Sequence, residues 1–507
     1  MPLPAPESRL ADAGAITSVP MTRRHRRAMF RQLRGAVPGY APISNDTNDP
    51  DTQVQGLRKR LLRDIPAPDP TFLAEFKAFV HGYVQRFASP RERMDLETWL
   101  AGTTYTEARK NELREADAEN RGTYPDSRCR HSVKSFGKTE SYAEYKYLRW
   151  INSRPDRVKC WMGPLMKMVE QLVFAENEFI KHTPVQDRPA KLAGLMKDGL
   201  RYFLTDFTAF ESHFGPAFMK ACECVLYRHV LEHVCTPEEL DALEKTLTGT
   251  NNLRTRLGVK ASVDGRRMSG DMCTSLGNGF TNLMLALFIA HKKGVSIDGF
   301  VEGDDGIFAS DGALLEEDYT KLGWTIKLRE VSSPCEMLPI DDGEVGQFGK
   351  SIGAFCGICC SQDGQIIRDP RAFLSTFGWT SNYVHAGERV MDELQRAKAL
   401  SAAYETPSCP IVSIAARRAL KETLGVQPRF VLDTYKAHAC PKDERGIPPF
   451  APTVATRLLF EAQFGVSVAA QLEIEARLMD GRKDILELLG SGEHMLHYEA
   501  RYVERQP

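Results

Sequence analysis

The stretch Val301-Glu302-Gly303-Asp304-Asp305-Gly306-Ile307-Phe308 constrains this chain more than any other. Two adjacent carboxylates stand between glycines, flanked by short apolar runs, and that pattern predicts a β-hairpin with acids at its tip. Neighbouring aspartates in a tight turn repel each other, so a fold that holds them there calls for a cation, most simply a divalent metal. The same dipeptide occurs in Ile340-Asp341-Asp342-Gly343, which reads as surface loop, so the pair alone decides little. It gains weight from two upstream segments.

The first is Arg201-Tyr202-Phe203-Leu204-Thr205-Asp206, an aromatic and β-branched run that reads as a strand ending in an acid, with Glu211 five residues on. A strand end is a rigid place from which to present a metal ligand, and a nearby carboxylate can serve a bound substrate; an acid capping the next helix is the competing reading. The second begins at Ser269-Gly270, where small residues permit close backbone approach, and continues with Thr274, Asn278 and Asn282 at four-residue steps on one helix face. The apolar run from Leu283 to Ala290 packs that helix, so its amides need partners, and a sugar would supply them. Further upstream, Lys134, Lys138, Lys146, Arg149, Arg154, Arg157 and Lys159 alternate with Tyr142, Tyr145, Tyr147 and Trp150. Cations interleaved with aromatics suit a channel that grips phosphates and tolerates stacked bases, although a charged helix face has the same composition.

At 507 residues, 42% hydrophobic and 26% charged, the chain has material for about three domain-sized units. A net charge of −1 excludes a protein that simply coats nucleic acid, so phosphate binding must be local. Twelve cysteines without a paired framework suit a reducing compartment and free thiols. Cys222, Cys224, His229 and His233 offer a zinc reading, weakened by the lack of Cys-x-x-Cys pairs. No secretory signal opens the chain, and no apolar run approaches the ~20 residues of a membrane span. Membrane association is therefore expected to be peripheral, with the basic run Arg23-Arg24-His25-Arg26-Arg27, followed by Arg31 and Arg34, as a solvated tail or a contact for RNA or lipid. Residues 37–56 read as a linker and the ordered body as starting near Thr71. Helical spacing is expected at 72–87, 95–113, 161–181, 218–234, 390–404, 411–424 and 469–479, and a hairpin turn at Asp264-Gly265.

In order and spacing, Asp206, the Ser269 segment and Asp304-Asp305 resemble the palm motifs of viral RNA-dependent RNA polymerases, in particular the tombusvirus-like group of positive-strand RNA viruses. Arg267-Met268-Ser269-Gly270-Asp271-Met272, continuing through Thr274 and Leu276-Gly277-Asn278, is similar to that group's sugar-reading segment. Phe355-Cys356-Gly357 resembles its primer-grip turn, and Arg149-Trp150-Ile151-Asn152-Ser153-Arg154 its basic nucleotide-channel motif. The resemblance spans roughly residues 130–380. It implies an α+β right hand, with an N-terminal basic arm and linker over 1–70, fingers over 71–200, a palm of antiparallel sheet plus helices over 201–360 carrying a fingers insertion at 221–265, and a mainly helical thumb and C-terminal region over 361–507.

The same resemblance assigns Asp206 and Asp304 as metal ligands with Asp305 assisting, and magnesium as the ion, manganese substituting. Two cations about 3.5–4 Å apart would activate the attacking hydroxyl and stabilise the leaving oxygen. Lys138, Arg149 and Arg154 would hold the triphosphate; Ser269, Gly270, Thr274, Asn278 and Asn282 would bind substrate. Lys327, with Lys321 as the alternative, would protonate pyrophosphate. Glu211 stands where most relatives have aspartate. The implied partners are RNA template, nascent RNA and ribonucleoside triphosphates, with viral or host replication proteins, in the host cytoplasm on membrane-associated replication complexes. A reverse transcriptase would share the palm acids, and a non-catalytic RNA-binding protein would share the basic arm. No glycine-rich loop with Gly-Lys-Ser/Thr marks a helicase.

Overall fold

The computed structural model describes residues 15–18, 28–140, 146–331, 356, 358–360, 364–431, 441–448, 451–482, 484–489 and 500–503. Ten strands organise most of it: β1 (Ala15–Ser18), β2 (Ala28–Gln32), β3 (Ser132–Gly137), β4 (Trp150–Ser153), β5 (Arg201–Phe207), β6 (Thr250–Thr255), β7 (Lys260–Asp264), β8 (Ile297–Glu302), β9 (Asp305–Ser310) and β10 (Ile326–Val331). The fold mixes α and β, with several small sheets among the described residues.

At the centre lies a four-stranded antiparallel sheet in the order β10-β5-β9-β8. Its two-residue period divides β5: Phe203 and Phe207 join the largest core, while Tyr202 and Leu204 pack in a second core with Ile307 and Val331. Both faces of β5 are thus packed, and its exposed polar side chains, Arg201 and Asp206, lie toward its two ends. Against the larger core packs the helix Thr274–Lys293, stopped by Gly294 in the left-handed region and carrying His291, Lys292 and Lys293 in its last turn, where cations oppose the helix dipole. Trp324, fully buried, is ringed by Phe207, Phe210, His213, Phe214 and Phe218 at centroid distances of 4.7–5.5 Å. The amide of Thr325 donates to His213 Nε2 at 3.1 Å, and burial pushes that imidazole down to about 4, so it stays a neutral acceptor. This cluster fixes the lead into β10 against the end of β5.

A five-stranded sheet, β1-β7-β6-β3-β4, lies earlier in the chain. Its β6–β7 hairpin turns at residues 256–259, so the turn expected at Asp264-Gly265 is displaced: those residues follow β7, where Gly265 (φ 63°) and Arg266 (φ 70°) reverse the chain toward Ser269. The expected linker is also replaced, by a helix over Pro50–Arg60. Asp49 caps it by accepting from Thr52 N at 2.8 Å and Pro50 starts it, so residues that resemble loop punctuation are helix-start chemistry. Leu57, and Leu61 and Leu62 just beyond, pack on Val133, Trp150 and Leu253, and Gly56 lets the helix approach Leu148 where a Cβ would clash. Likewise Arg31 and Arg34 are not tail residues: they pair with Glu388 and Asp392. Strand β2 joins Trp379–Thr380 and Ala500–Val503, which ties the N-terminal segment to the C-terminal helices.

Those helices, Pro370–Phe377, Glu388–Glu405, Val412–Glu422, Val454–Phe464 and Val468–Met479, enclose their own core around Leu400, Val412, Phe460 and Ile474. The three sequence-predicted helices here coincide with observed ones. Elsewhere the expected helix over 95–113 is two, Leu96–Ala101 and Glu107–Ala118, parted at Gly102. That over 218–234 breaks at Cys222 into Pro216–Ala221 and Glu223–Leu231, which turns Glu223 inward. Arg23–Arg27, Tyr142, Tyr145, Ile340–Gly343, Phe355 and Gly357 lie outside the described residues. Replacing Trp324 with alanine should cost about 3–5 kcal/mol, the usual loss for a fully buried indole. An unchanged urea midpoint would show that the ring cluster does not carry the sheet.

Candidate active site

The acids come together because three strand ends do. Asp206 lies one residue from the end of β5, directly opposite Lys327 of β10. On the other side β5 pairs with β9 up to Thr205 and Gly306, so Asp305 starts β9 where β5 ends. Glu302 and Asp305 close the β8–β9 hairpin, and the turn between them is Gly303-Asp304, with Gly303 at φ 65°, a conformation that favours glycine. Asn282 pins this turn: its buried amide donates to the Asp304 carbonyl at 3.0 Å and lies 3.4 Å from Gly303 O and Thr205 Oγ1. Asn282, expected to bind substrate, is thus engaged in supporting the acid hairpin and does not line the cavity beside it.

Asp206, Asp304 and Asp305 open onto a cavity of about 690 Å³. Loss of solvation pushes the Asp305 carboxyl up to about 6, and the charges of Asp304, Glu302 and Asp206 add to that. Burial, then Asp304, likewise raises Glu211, which lines the same cavity. Cations line it too: Arg60, Lys138, Lys146 and Arg149. Glu140 stands between two of them, 2.5 Å from Lys138 Nζ and 3.6 Å from Arg149 Nη1. Lys146 belongs to the basic, aromatic run expected to line a channel, whereas Arg60, at the end of the Pro50–Arg60 helix, is an addition to the residues expected there.

Arg154 requires a correction. Its guanidinium is buried, donating to Asp271 Oδ1 at 2.8 Å and to the Arg130 carbonyl at 2.5 Å, and it does not line the cavity. With Ser269 Oγ donating to Trp150 O (2.6 Å) and Gly270 N to Asn152 O (3.0 Å), this pair fastens the Ser-Gly loop to β4. Thr274 Oγ1, in the first turn of its helix, donates to Met268 O and Asp271 O and so ties the helix start to the Ser-Gly loop, while still lining the cavity.

Asn278 is held from behind. Its Oδ1 accepts from Arg267 Nε at 3.1 Å, and Arg267, fully buried, pairs with Glu223 at 2.5 Å, lies over the Phe214 ring and reaches Cys273 Sγ at 3.2 Å. Tyr227 donates to the same Glu223 oxygen at 2.9 Å. Because a guanidinium has only donors, the Asn278 carbonyl must face it, which leaves the NH₂ end for other partners. Glu223 had no sequence signal; it is one acid in a helical run.

Lys321 pairs with Asp318 at 3.1 Å and lies over Phe72, so of the two candidate lysines only Lys327 stands beside the acids. Cys222, Cys224, His229 and His233 are not assembled. The cysteines are buried in the apolar core, His229 meets the Phe87 carbonyl at 3.0 Å and His233 lies beside Glu232. Among the described residues no group of three or more His, Cys, Asp or Glu is preformed as a cation cage. The donor set at the hairpin nevertheless fits a hard divalent ion, being all carboxylate oxygen with no ion pair to Asp206, Asp304 or Asp305 among the described residues.

A sequence model described as viral RNA dependent RNA polymerase matches residues 206–329. That span runs from Asp206 to the middle of β10, taking in the acid hairpin, the Ser-Gly loop and Lys327. Residues 206–329 are similar to the viral RNA-dependent RNA polymerase family. Similar proteins include the RNA-directed RNA polymerases of striped jack nervous necrosis virus (27% identical over 210 residues, 39% of this chain) and greasy grouper nervous necrosis virus (26% over 207 residues, 39% of this chain). That of groundnut rosette virus (strain MC1) is 29% identical over 116 residues, 20% of this chain and 14% of that protein. The matched stretch spans 21% of the length of the two nervous necrosis virus proteins. Among the described residues no helix is long and apolar enough to cross a membrane.

Arg149 and Arg154 should therefore behave differently as alanine variants. Arg149→Ala should leave the melting temperature within about a degree and raise the KM for nucleotide, since an exposed cation contributes little to stability. Arg154→Ala strands the buried Asp271 charge and should cost about 3–5 kcal/mol in urea unfolding. Equal stability of the two variants would contradict the placement.

Proposed function

We propose that this chain is an RNA-dependent RNA polymerase that copies the RNA of a positive-strand virus from ribonucleoside triphosphates. The observation that carries the reading is the cavity in which Asp206, Asp304 and Asp305 meet Lys138, Arg149, Glu211 and Asn278, the acids and Asn278 falling within the span 206–329 that matches the polymerase family. In this reading the four-stranded sheet with the Thr274–Lys293 helix is the palm, the five-stranded sheet and its neighbouring helices the fingers, and the C-terminal helices the thumb.

The chemistry follows from charge. Arg60, Lys138, Lys146 and Arg149 gather a triphosphate, which must displace Glu140 from Lys138 and Arg149. Magnesium or manganese held by Asp206 and Asp304, with Asp305 assisting, would neutralise the charge that builds on the attacking and leaving oxygens. Lys327, in register with Asp206, would give a proton to departing pyrophosphate. Glu211 and the NH₂ of Asn278 offer an acceptor and a donor to a ribose hydroxyl. RNA template and product are the implied partners, with replication proteins and a peripheral membrane site in the host cytoplasm as the setting.

Asp304→Ala should abolish magnesium-dependent primer extension and leave the protein folded, because a turn acid adds little to stability while a metal ligand acts directly on the transition state. Normal extension by this variant would reject the reading.

Glu211→Ala should narrow the preference for ribo- over deoxynucleotides by about ten- to a hundredfold, the range for losing a partner to one hydroxyl, and spare magnesium dependence. A fixed ratio at high activity would transfer sugar selection to Thr274 and Asn278.

A further inference from the structure

The outward face of the five-stranded sheet is built like a track for a nucleic-acid strand. Alternation along β3 puts Lys134 and Phe136 on that face, while Val133 and Ser135 point into the core. Lys134 is in register with Arg254 of β6, and Arg254 with Lys260 of β7. Three cations therefore stand side by side across the strands at about 4.8 Å spacing. Arg256, two residues beyond Arg254, extends the row. All four are exposed, and among the described residues none forms an ion pair. The acids of this face lie at its ends: Asp264, bonded by Thr250 Oγ1 at 2.5 Å, and Glu140, beside Lys138 and Arg149.

Like charges on facing strands repel, so this row destabilises the sheet unless a polyanion lies over it. Its position says which one. The ladder of β3 and β4 runs on from Gly137–Trp150 to Lys138, whose amide donates to Arg149 O at 2.8 Å, and both side chains line the nucleotide cavity. By the same alternation Lys138 shares the face of Lys134 and Phe136. Phe136 is 47% exposed and opposes Ile151. One face thus carries cavity-lip cations, an aromatic step and then the cationic row, about 13 Å from the lip at 3.3 Å per residue.

We propose that this face binds the single-stranded RNA that continues out of the catalytic cavity, with phosphates along Lys134, Arg254, Arg256 and Lys260 and a base stacked on Phe136. The inference rests on the polymerase reading of the cavity. Alternating cations and an exposed ring are the features by which proteins hold single strands without reading sequence. A bilayer would find one exposed ring too little apolar surface for insertion, and the next row of the face, Ser132, Asn252 and Ser262, is polar.

The test uses the full chain and the variant Lys134→Ser/Arg254→Ser/Arg256→Ser/Lys260→Ser. Anisotropy of a labelled RNA of about 20 nucleotides, titrated between about 50 and 200 mM salt, should show affinity lowered at least about tenfold and the log–log salt slope reduced by about 2–3, near 0.7 per phosphate contact. Phe136→Ala should lose about five- to a hundredfold with the slope unchanged, as stacking is not counter-ion release. Single-nucleotide extension of a saturating short primer-template should persist in the fourfold variant, since the cavity residues are intact. Were the wild-type chain itself to lack extension, the polymerase reading would fail and the binding result would still decide this surface. Unchanged RNA affinity and slope would overturn the proposal, as would loss of binding to phosphatidylserine vesicles with RNA affinity retained.

Discussion

Mutual repulsion among Asp206, Asp304 and Asp305 is the constraint to which the centre of this molecule answers. Left to solvent, such acids would spread apart, and the fold prevents this by placing them on three strand ends whose ladders are fixed by packing on both faces. Register matters here because a one-residue slip of β5 against β9 would send Asp206 to the opposite face, into apolar side chains. The Trp324 cluster and the Asn282 amide guard that register from two directions, one by burying rings beneath the end of β5 and the other by tying the turn to the helix behind it. Burial, and after it the charges of Asp304, Glu302 and Asp206, raise the Asp305 carboxyl.

A second layer of polar groups, buried and mutually satisfied, sets the geometry around those acids. The Arg267–Glu223 pair and the Arg154–Asp271 pair are both almost wholly removed from water. Buried pairs of this kind are weak contributors to net stability, because desolvation cancels much of their attraction, but each fixes one arrangement and penalises the others. Here the arrangements fixed are the amide of Asn278 and the docking of the Ser-Gly loop on β4. The geometry of the cavity lining thus depends on residues that never face it.

Much of the centre was legible in the sequence because its signals are local. Asp304 and Asp305 announce themselves by glycine on both sides, Asp206 by the strand it ends, and the C-terminal helices by their spacing. What escaped was long-range. Nothing local separates Arg154, which is buried against an acid more than a hundred residues away, from Arg149, which lines the cavity. Asn282 shares a helix stripe with Asn278, yet one turn of helix carries it from the cavity to the back of the hairpin. The segment before residue 70 was misread for another reason: Asn-Asp-Pro is equally a loop and a capped helix start, and only the apolar partners Val133 and Trp150 decide.

This placement of the early segment alters the meaning of charge in the whole chain. A net charge of −1 is compatible with handling a polyanion only if cations are sorted by position, and the structure sorts them three ways. Arg31 and Arg34 are spent on acids of the C-terminal helices; Arg154 and Arg267 are internal. The exposed cations Lys134, Arg254 and Lys260 share one face of the five-stranded sheet with Lys138 at the cavity, so a balanced composition coexists with a local concentration of positive charge. Screening over about 8–10 Å at physiological salt confines that field to strands lying on the face itself.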